Sequence, residues 1–340
     1  MQSSRIVERS VTSMAFEHRI GVVGGGAFGT AFSNALSRNP SSRVLLYSID
    51  PSVVDSINTQ RANSKYFPSN LLDARLTATG DVAALGECDW IFLAIPASAA
   101  IDFTVGSQAV FKPSAVIVNM AKGFGRGHRT ICECLSDEMP NPIATLKGPT
   151  FAAETINNLP SAFTFASTDD TLFVRMKSLR EATHVYLDYT PDIKGVEVLS
   201  TLKNMYAILL GVIDGQFNSA NVRFMVMTRA FDEMRRVLRT FGGQEETLFR
   251  YCGFGDLGLT ALNDLSRNRT LGLLVGKGFL AGAVSGVILE GRRSLDVFVD
   301  ALKTSGAAAD EFYLIHQLHR LLSQEVDVPK FCRLILEQSE

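Results

Sequence analysis

Long apolar runs are missing from this chain. No stretch approaches the roughly 18 residues that a membrane-spanning helix requires. The longest candidates, residues 205–213 and 278–289, are too short or too rich in glycine, so stable membrane insertion is not expected. A charge excess is also missing. Lys and Arg number 33 against 35 Asp and Glu, a net charge of −2, so no basic surface invites nucleic acid. Cysteine is scarce and unpaired in pattern: Cys88, Cys132, Cys134, Cys252 and Cys332 make an odd count without a CxxC spacing. That argues for reduced thiols and a cytoplasmic setting. Cys132 and Cys134 lack the histidine pattern that would complete a metal site, and none is expected. The first 18 residues mix Arg, Ser and Glu without an apolar core, so a secretory signal is not expected and the segment reads as an N-terminal extension, with Met14 an alternative start.

What is present is an ordinary globular composition, 46% hydrophobic and 20% charged over 340 residues, enough for one large or two medium domains. A short apolar run over 19–23 leads into Gly24-Gly25-Gly26-Ala27-Phe28-Gly29, and a helical pattern follows over 30–39. Strands are expected at 43–49, 90–95, 115–119, 142–146, 161–166 and 184–187. Helices are expected at 51–60 and 171–180. The continuous apolar character of WIFLAI and AVIVN predicts a parallel sheet covered on both faces. From about Gly195 the pattern turns helical, with helices expected over 195–213, 221–241, 272–277, 294–304, 311–322 and 330–337. The fold class is therefore α/β: a Rossmann-like doubly wound sheet over 19–194, then an all-helical domain over 195–340 that holds substrate.

The loop fits G-x-G-x-x-G. Gly24 permits the tight turn, Gly26 lets a pyrophosphate approach the backbone, and Gly29 lets helix pack on strand. Strand before and helix after supply the context that makes this short pattern informative. Asp50 follows Gly29 by 21 residues, where an acid contacts the ribose 2′-hydroxyl of NAD. Asp50-Pro51 is equally a good helix start. No cation lies between Val44 and Asp50 to meet a 2′-phosphate, which leans toward NAD; Arg61 and Lys65 could fold back, which leaves NADP open.

Four further features carry chemistry. Lys122 follows a buried strand, at the carboxyl edge where open sheets bind ligands; taken alone it reads as a solvated loop lysine. Lys203 sits beside Asn204 in a mostly apolar helix. Desolvation there would lower its pKa and make it a usable proton donor, although lysines also snorkel to the surface. Asp256 and Thr260 are four apart, hence on one face of a helical turn, and Asp256 could orient Lys203 or simply cap a helix. Ser266, Arg267 and Asn268 can close around a phosphate, or form an ordinary helix-end cluster. The histidines occupy no catalytic spacing.

Together these motifs resemble the bacterial soluble type of NAD(P)-dependent glycerol-3-phosphate dehydrogenase, from about residue 19 to 335. GGGAFGTAF, NMAKGF, KGPTFAAE, LKNMYAILLGVIDG, NVRFMVMTRAFDEM, GFGDLGLT, LSRNR and LEGRR stand in order. The resemblance implies reversible hydride transfer between NAD(P)H and dihydroxyacetone phosphate, giving sn-glycerol 3-phosphate for glycerolipid synthesis, by a homodimer. It implies Lys203 as general acid/base and Lys122 as a lysine touching substrate and cofactor. It places Gly148, Thr150, Asn204, Asp256, Thr260, Ser266, Arg267 and Asn268 around the substrate. It places Ala27, Phe28, Ala152, Arg267, Ile288 and Glu290 on the cofactor.

The chain departs from that pattern in places. Ile49 stands where many NADP-using relatives have a basic residue. Lys147 replaces a small residue before Gly148, and Ala153 a common lysine. Thr201 replaces a small residue, and Ala230 a common glycine. The alternatives are another Rossmann-plus-helical dehydrogenase, of 3-hydroxyacid, opine or 6-phosphogluconate type, and a non-enzymatic NAD(H) sensor. The first would not be expected to carry the Lys-Asn, GDL and SRNR set, and a sensor need keep only the cofactor half, without Lys122, Lys203 and Asp256.

Overall fold

Eight short strands, each followed by a chain reversal at its carboxyl end, build one sheet in a computed structural model that describes residues 18–279, 285–306 and 311–337, without the side chains of 285–294. The elements run β1 (His18–Val23), α1 (Ala27–Ser37), β2 (Ser42–Tyr47), α2 (Pro51–Gln60), β3 (Leu76–Thr79), β4 (Trp90–Leu93), α3 (Ala97–Gly106), β5 (Val116–Asn119), α4 (Ile131–Glu138), β6 (Ile143–Lys147), α5 (Ala152–Ile156), β7 (Ser161–Ala166), α6 (Asp170–Leu179) and β8 (Val185–Thr190). The strand order is β3-β2-β1-β4-β5-β6-β7-β8. The first six strands are parallel and follow the doubly wound order, with the switch point between β1 and β4. Trp90–Leu93 and Val116–Asn119 are buried throughout, as strands covered on both faces must be.

Helices α3, α4 and α5 were not expected, and two features of the sheet also depart from the sequence reading. β7 runs antiparallel to β6, pairing Thr145 with Ala166, so the sheet is mixed rather than uniformly parallel. The connection between them, residues 148–160, carries the short helix α5. β3, whose LTAT carries little apolar signal, was not expected as a strand.

The second region is helical: α7 (Ile193–Phe217), α8 (Ala220–Thr240), α9 (Asp256–Leu262), α10 (Arg267–Gly276), α11 (Ser285–Thr304), α12 (Tyr313–Leu322) and α13 (Val328–Glu337). α7 is its axis. An 18-residue window of α7 has mean hydropathy 1.5 and is 94% buried, so its apolar composition belongs to a protein core. Leu199, Leu202, Leu209 and Ile213 pack there against α8, α12 and α13 side chains such as Met234, Leu318 and Phe331. α10 lies against α7 with almost no side chains between. A Cβ on Gly272 would sit 2.0 Å from the Ile208 carbonyl oxygen, and one on Gly211 would sit 2.3 Å from that of Arg269. Backbone contact of this kind is what glycine allows. It fixes the start of α10 relative to Lys203, two turns earlier on α7.

Candidate active site

The carboxyl ends of the parallel strands open into a cavity of about 1300 Å³. Gly24, Gly26, Ala27, Phe28 and Asp50 are among its lining residues, with Lys122, Gly148, Thr150, Ala152 and Arg267. The glycine loop is built for close approach. Gly24 has φ +122°, and a Cβ there would lie 2.5 Å from the Ala94 carbonyl oxygen. A Cβ on Gly29, which is buried at the first turn of α1, would lie 2.0 Å from the Gly24 oxygen. Gly26 has open space where a Cβ would point. α1 starts there without a side-chain cap, as does α3 after Pro96, so both helices leave N–H groups uncapped at the cavity. Two uncapped N-termini and a glycine cradle suit a pyrophosphate. Phe28 closes the floor against Phe32 and Phe163. These residues therefore fit a dinucleotide.

Asp50 ends the β2 segment and does both things the sequence allowed. Its carboxylate caps α2 by accepting from the Ser52 N–H at 3.0 Å, and it lies on the cavity wall. It is also ion-paired at 2.8 Å with Lys65, which folds back from beyond α2. Lys65 first, then the Ser52 bonds, hold Asp50 down at about 2. Arg61 is committed elsewhere, its guanidinium donating to the Leu72 carbonyl. Ile49 beside them is 87% exposed.

Beneath the opposite wall lies a buried ionic layer. α9 begins after a π-helical turn at Tyr251–Gly255, and its first turn presents Asp256 and Thr260 on one face. Lys203 on α7 donates to Asp256 Oδ1 and, at 2.8 Å, to Thr260 Oγ1. Lys122 reaches the other oxygen, Asp256 Oδ2, at 3.1 Å. One carboxylate thus joins two ammonium groups. Lys122 stands on the cavity wall, whereas Lys203 is 5% exposed and lies behind Asp256. Burial lowers the Lys203 pKa to about 7; Asp256 opposes the shift and the like charge of Lys122 adds to it. Asn204 follows Lys203 and is half-buried, outside the cavity wall.

The expected phosphate cluster divides. Arg267, the first residue of α10, is exposed on the cavity wall and makes no ion pair among the described residues. Ser266 is buried and caps α10, accepting from the Arg269 N–H at 3.3 Å. Asn268 is half-buried and does not line the cavity. Arg269 is ion-paired with Asp214 of α7 and with Asp264. Ile288 and Glu290 fall in α11, where the side chains lie outside the described residues.

One group at the site had no role in the sequence reading. Lys147, at the end of β6, is 1% exposed. Its Nζ donates to the carbonyls of Asn119 at 3.0 Å and Ala121 at 2.6 Å, and lies 3.4 Å from Glu197 Oε1 of α7. Glu197 also accepts from the Asn119 amide, the Thr145 hydroxyl and the Cys132 N–H. A lysine in place of a small residue was the only signal in the sequence.

Comparison with known proteins gives a consistent answer. The sequence model for the N-terminus of NAD-dependent glycerol-3-phosphate dehydrogenase matches residues 19–173, and that for its C-terminus matches 192–333. The chain is 33% identical over 321 residues to glycerol-3-phosphate dehydrogenase [NAD(P)+] of Desulfovibrio desulfuricans, covering 93% of this chain and 92% of that one. It is 35% identical over 278 residues to the enzyme of that name from Methanothermobacter thermautotrophicus, covering 81% and 85%. The crystal structure of glycerol-3-phosphate dehydrogenase from Coxiella burnetii superimposes with a TM-score of 0.86 at 29% identity, covering 95% of this chain and all of that one.

Proposed function

Because the chain belongs to the NAD-dependent glycerol-3-phosphate dehydrogenase family, we propose that the cavity between the glycine loop and the Lys122–Asp256–Lys203 layer is its active site. The protein is an oxidoreductase acting on a CH–OH group with NAD or NADP. It interconverts sn-glycerol 3-phosphate and dihydroxyacetone phosphate, a reaction that supplies glycerolipid synthesis. The observation that carries the site assignment is the shared carboxylate of Asp256, which joins a lysine on the cavity wall to a buried lysine of lowered pKa.

The chain's own residues divide the work. Gly24, Gly26, Ala27 and the N-terminus of α1 hold the cofactor pyrophosphate, with Asp50 toward the ribose. When bound, the nicotinamide supplies or accepts the hydride. Arg267 binds the substrate phosphate as a free guanidinium on the wall. Lys122 brings positive charge to the carbonyl oxygen, where negative charge develops during reduction. Lys203 passes a proton to that oxygen, and burial has set its pKa near the operating pH, where a general acid works best. Asp256 and Thr260 hold the Lys203 ammonium in one direction.

Two finer readings accompany this. NAD is favoured by the acid at Asp50 and the uncharged side chain at Ile49. NADP remains within reach because Lys65, on the same wall, can turn from Asp50 to a 2′-phosphate. A cytoplasmic setting is supported by the free cysteines, and a homodimer by Phe249 and Phe254. They pack on Phe231 yet stay 77% and 53% exposed on the helical region, an apolar surface of the kind partners cover.

The experiment is NADH and NADPH oxidation with dihydroxyacetone phosphate, beside 3-hydroxyacid precursors and opine substrates. Turnover of dihydroxyacetone phosphate alone, with kcat/KM higher for NADH, is expected. Turnover of another ketone in its place would overturn the substrate, and a strong NADPH advantage would overturn the cofactor preference.

A further inference from the structure

Lys147 is the largest investment at the site that the reaction leaves unexplained. A lysine ammonium removed from water is costly unless paired and hydrogen-bonded. Burial lowers its pKa, and Glu197 opposes that. A small side chain at the end of β6 would avoid the cost. What Lys147 holds is specific: the two main-chain carbonyls, of Asn119 and Ala121, that bracket the exit of β5. Lys122 is the next residue. The same turn is fixed from its other sides. The Asn119 side chain accepts from the Ala121 N–H at 3.0 Å, and Thr145 donates to the Asn119 carbonyl at 3.0 Å. Immediately beyond Lys122, Gly123 has φ +154°, and a Cβ there would meet Ala97 at 2.8 Å. Lys122 therefore leaves the sheet between a clamped turn and a glycine.

Glu197 connects this clamp to the proton donor. It lies six residues before Lys203 on α7, roughly 9 Å along one rigid helix. Lys147 thus binds the turn that carries Lys122 to the helix that carries Lys203.

We propose that Lys147 is a positioning residue for the dehydrogenase reaction: through the Asn119 and Ala121 carbonyls and Glu197 it sets the placement of Lys122 relative to Lys203. This rests on the role given to Lys122 above. Misplacement of a reacting group by about 1 Å from a distant change can cost 10²-fold. Since the charge of Lys122 depresses the Lys203 pKa, a displaced Lys122 also lets that pKa rise.

The test uses the full-length enzyme with Lys147→Met and Glu197→Gln together, a neutral pair that leaves no buried charge unmatched. Lys147→Ser with Glu197→Gln, which leaves room for water at the carbonyls and likewise no unmatched charge, carries the same readouts should the first pair not fold. We expect kcat/KM for dihydroxyacetone phosphate to fall roughly 10–100-fold, with the NADH Kd within about twofold. The alkaline limb of the kcat/KM profile should move to higher pH, because Lys203 is then freed of a like charge. Adding Lys122→Ala should cost little more than Lys122→Ala alone. A variant with normal kcat/KM and an unmoved limb, beside a crippled Lys122→Ala, would overturn the role of Lys147 only. A loss that multiplies with Lys122→Ala would show that Lys147 does not act through Lys122, and also overturns it. An undiminished Lys122→Ala would overturn the assignment of Lys122 and this proposal with it.

Discussion

Two buried lysine–carboxylate pairs stand on either side of Lys122, and they are built differently. Lys147 is surrounded by acceptors: two main-chain carbonyls and Glu197. Lys203 has a hydroxyl and one oxygen of Asp256, and it shares that carboxylate with a second cation. The first arrangement satisfies an ammonium and holds it still. The second leaves the ammonium with fewer acceptors and a carboxylate shared with a second cation, and its proton correspondingly easy to lose; the charge of Lys122 acts on both lysines. Burial of a lysine is thus not by itself a mark of proton transfer. The number of acceptors around the nitrogen, and whether another cation shares them, separates the proposed donor from the proposed clamp.

The contrast can be broken most directly at Lys203. Lys203→Ala is expected to lower kcat by roughly 10²–10⁴-fold, the range of general acid–base catalysis, with NADH binding retained in a fluorescence titration. Near-full activity would remove the donor from the comparison. On the other side, Glu197→Ala leaves the Lys147 charge buried without its carboxylate. Breaking one partner of a buried pair costs about 3–5 kcal/mol. Urea unfolding should show that loss, and an unchanged midpoint would mean that the clamp holds nothing.

The smallest effect sharpens the contrast through pH. On the proposed mechanism, reduction of dihydroxyacetone phosphate needs Lys203 protonated. With its pKa at about 7, kcat/KM should hold at acid pH and fall as pH rises through 7. Lys122→Ala removes a charge that lowers this pKa, so the residual activity should fall at a higher pH. A limb that stays in place would show that the two ammonium groups do not sense each other.

The cofactor half was legible from the sequence because its determinants are local. Strand, glycine loop and helix lie within some twenty residues, and the spacing to Asp50 is set by one βαβ unit. Asp256 and Thr260 were legible for the same reason, four apart on one helical face. What the sequence hid depends on distant partners. Glu197 is fifty residues from Lys147, and nothing in either neighbourhood announces the pairing. Ser266 read as a phosphate ligand, since a cap and an anion site use the same hydroxyl chemistry; only the placement of the Arg269 N–H shows its use as a cap. The reversal of β7 was hidden because an apolar strand has the same pattern in either direction. Lys65 shows the limit clearly: that it could fold back was readable, but that Asp50 would receive it was not.

If Arg267 and Lys203 act as proposed, the bare contact of α10 with α7 bears on substrate length. Gly211 and Gly272 meet with no side chain to yield between them. The span from Arg267, at the head of α10, to Lys203, on α7, is therefore a calliper whose jaws are backbone. Any carbon added at the hinge must widen the jaws by its own thickness. On the roles proposed for Arg267 and Lys203, hydrogen atoms at a point the substrate never touches would then set the distance between its phosphate and its carbonyl.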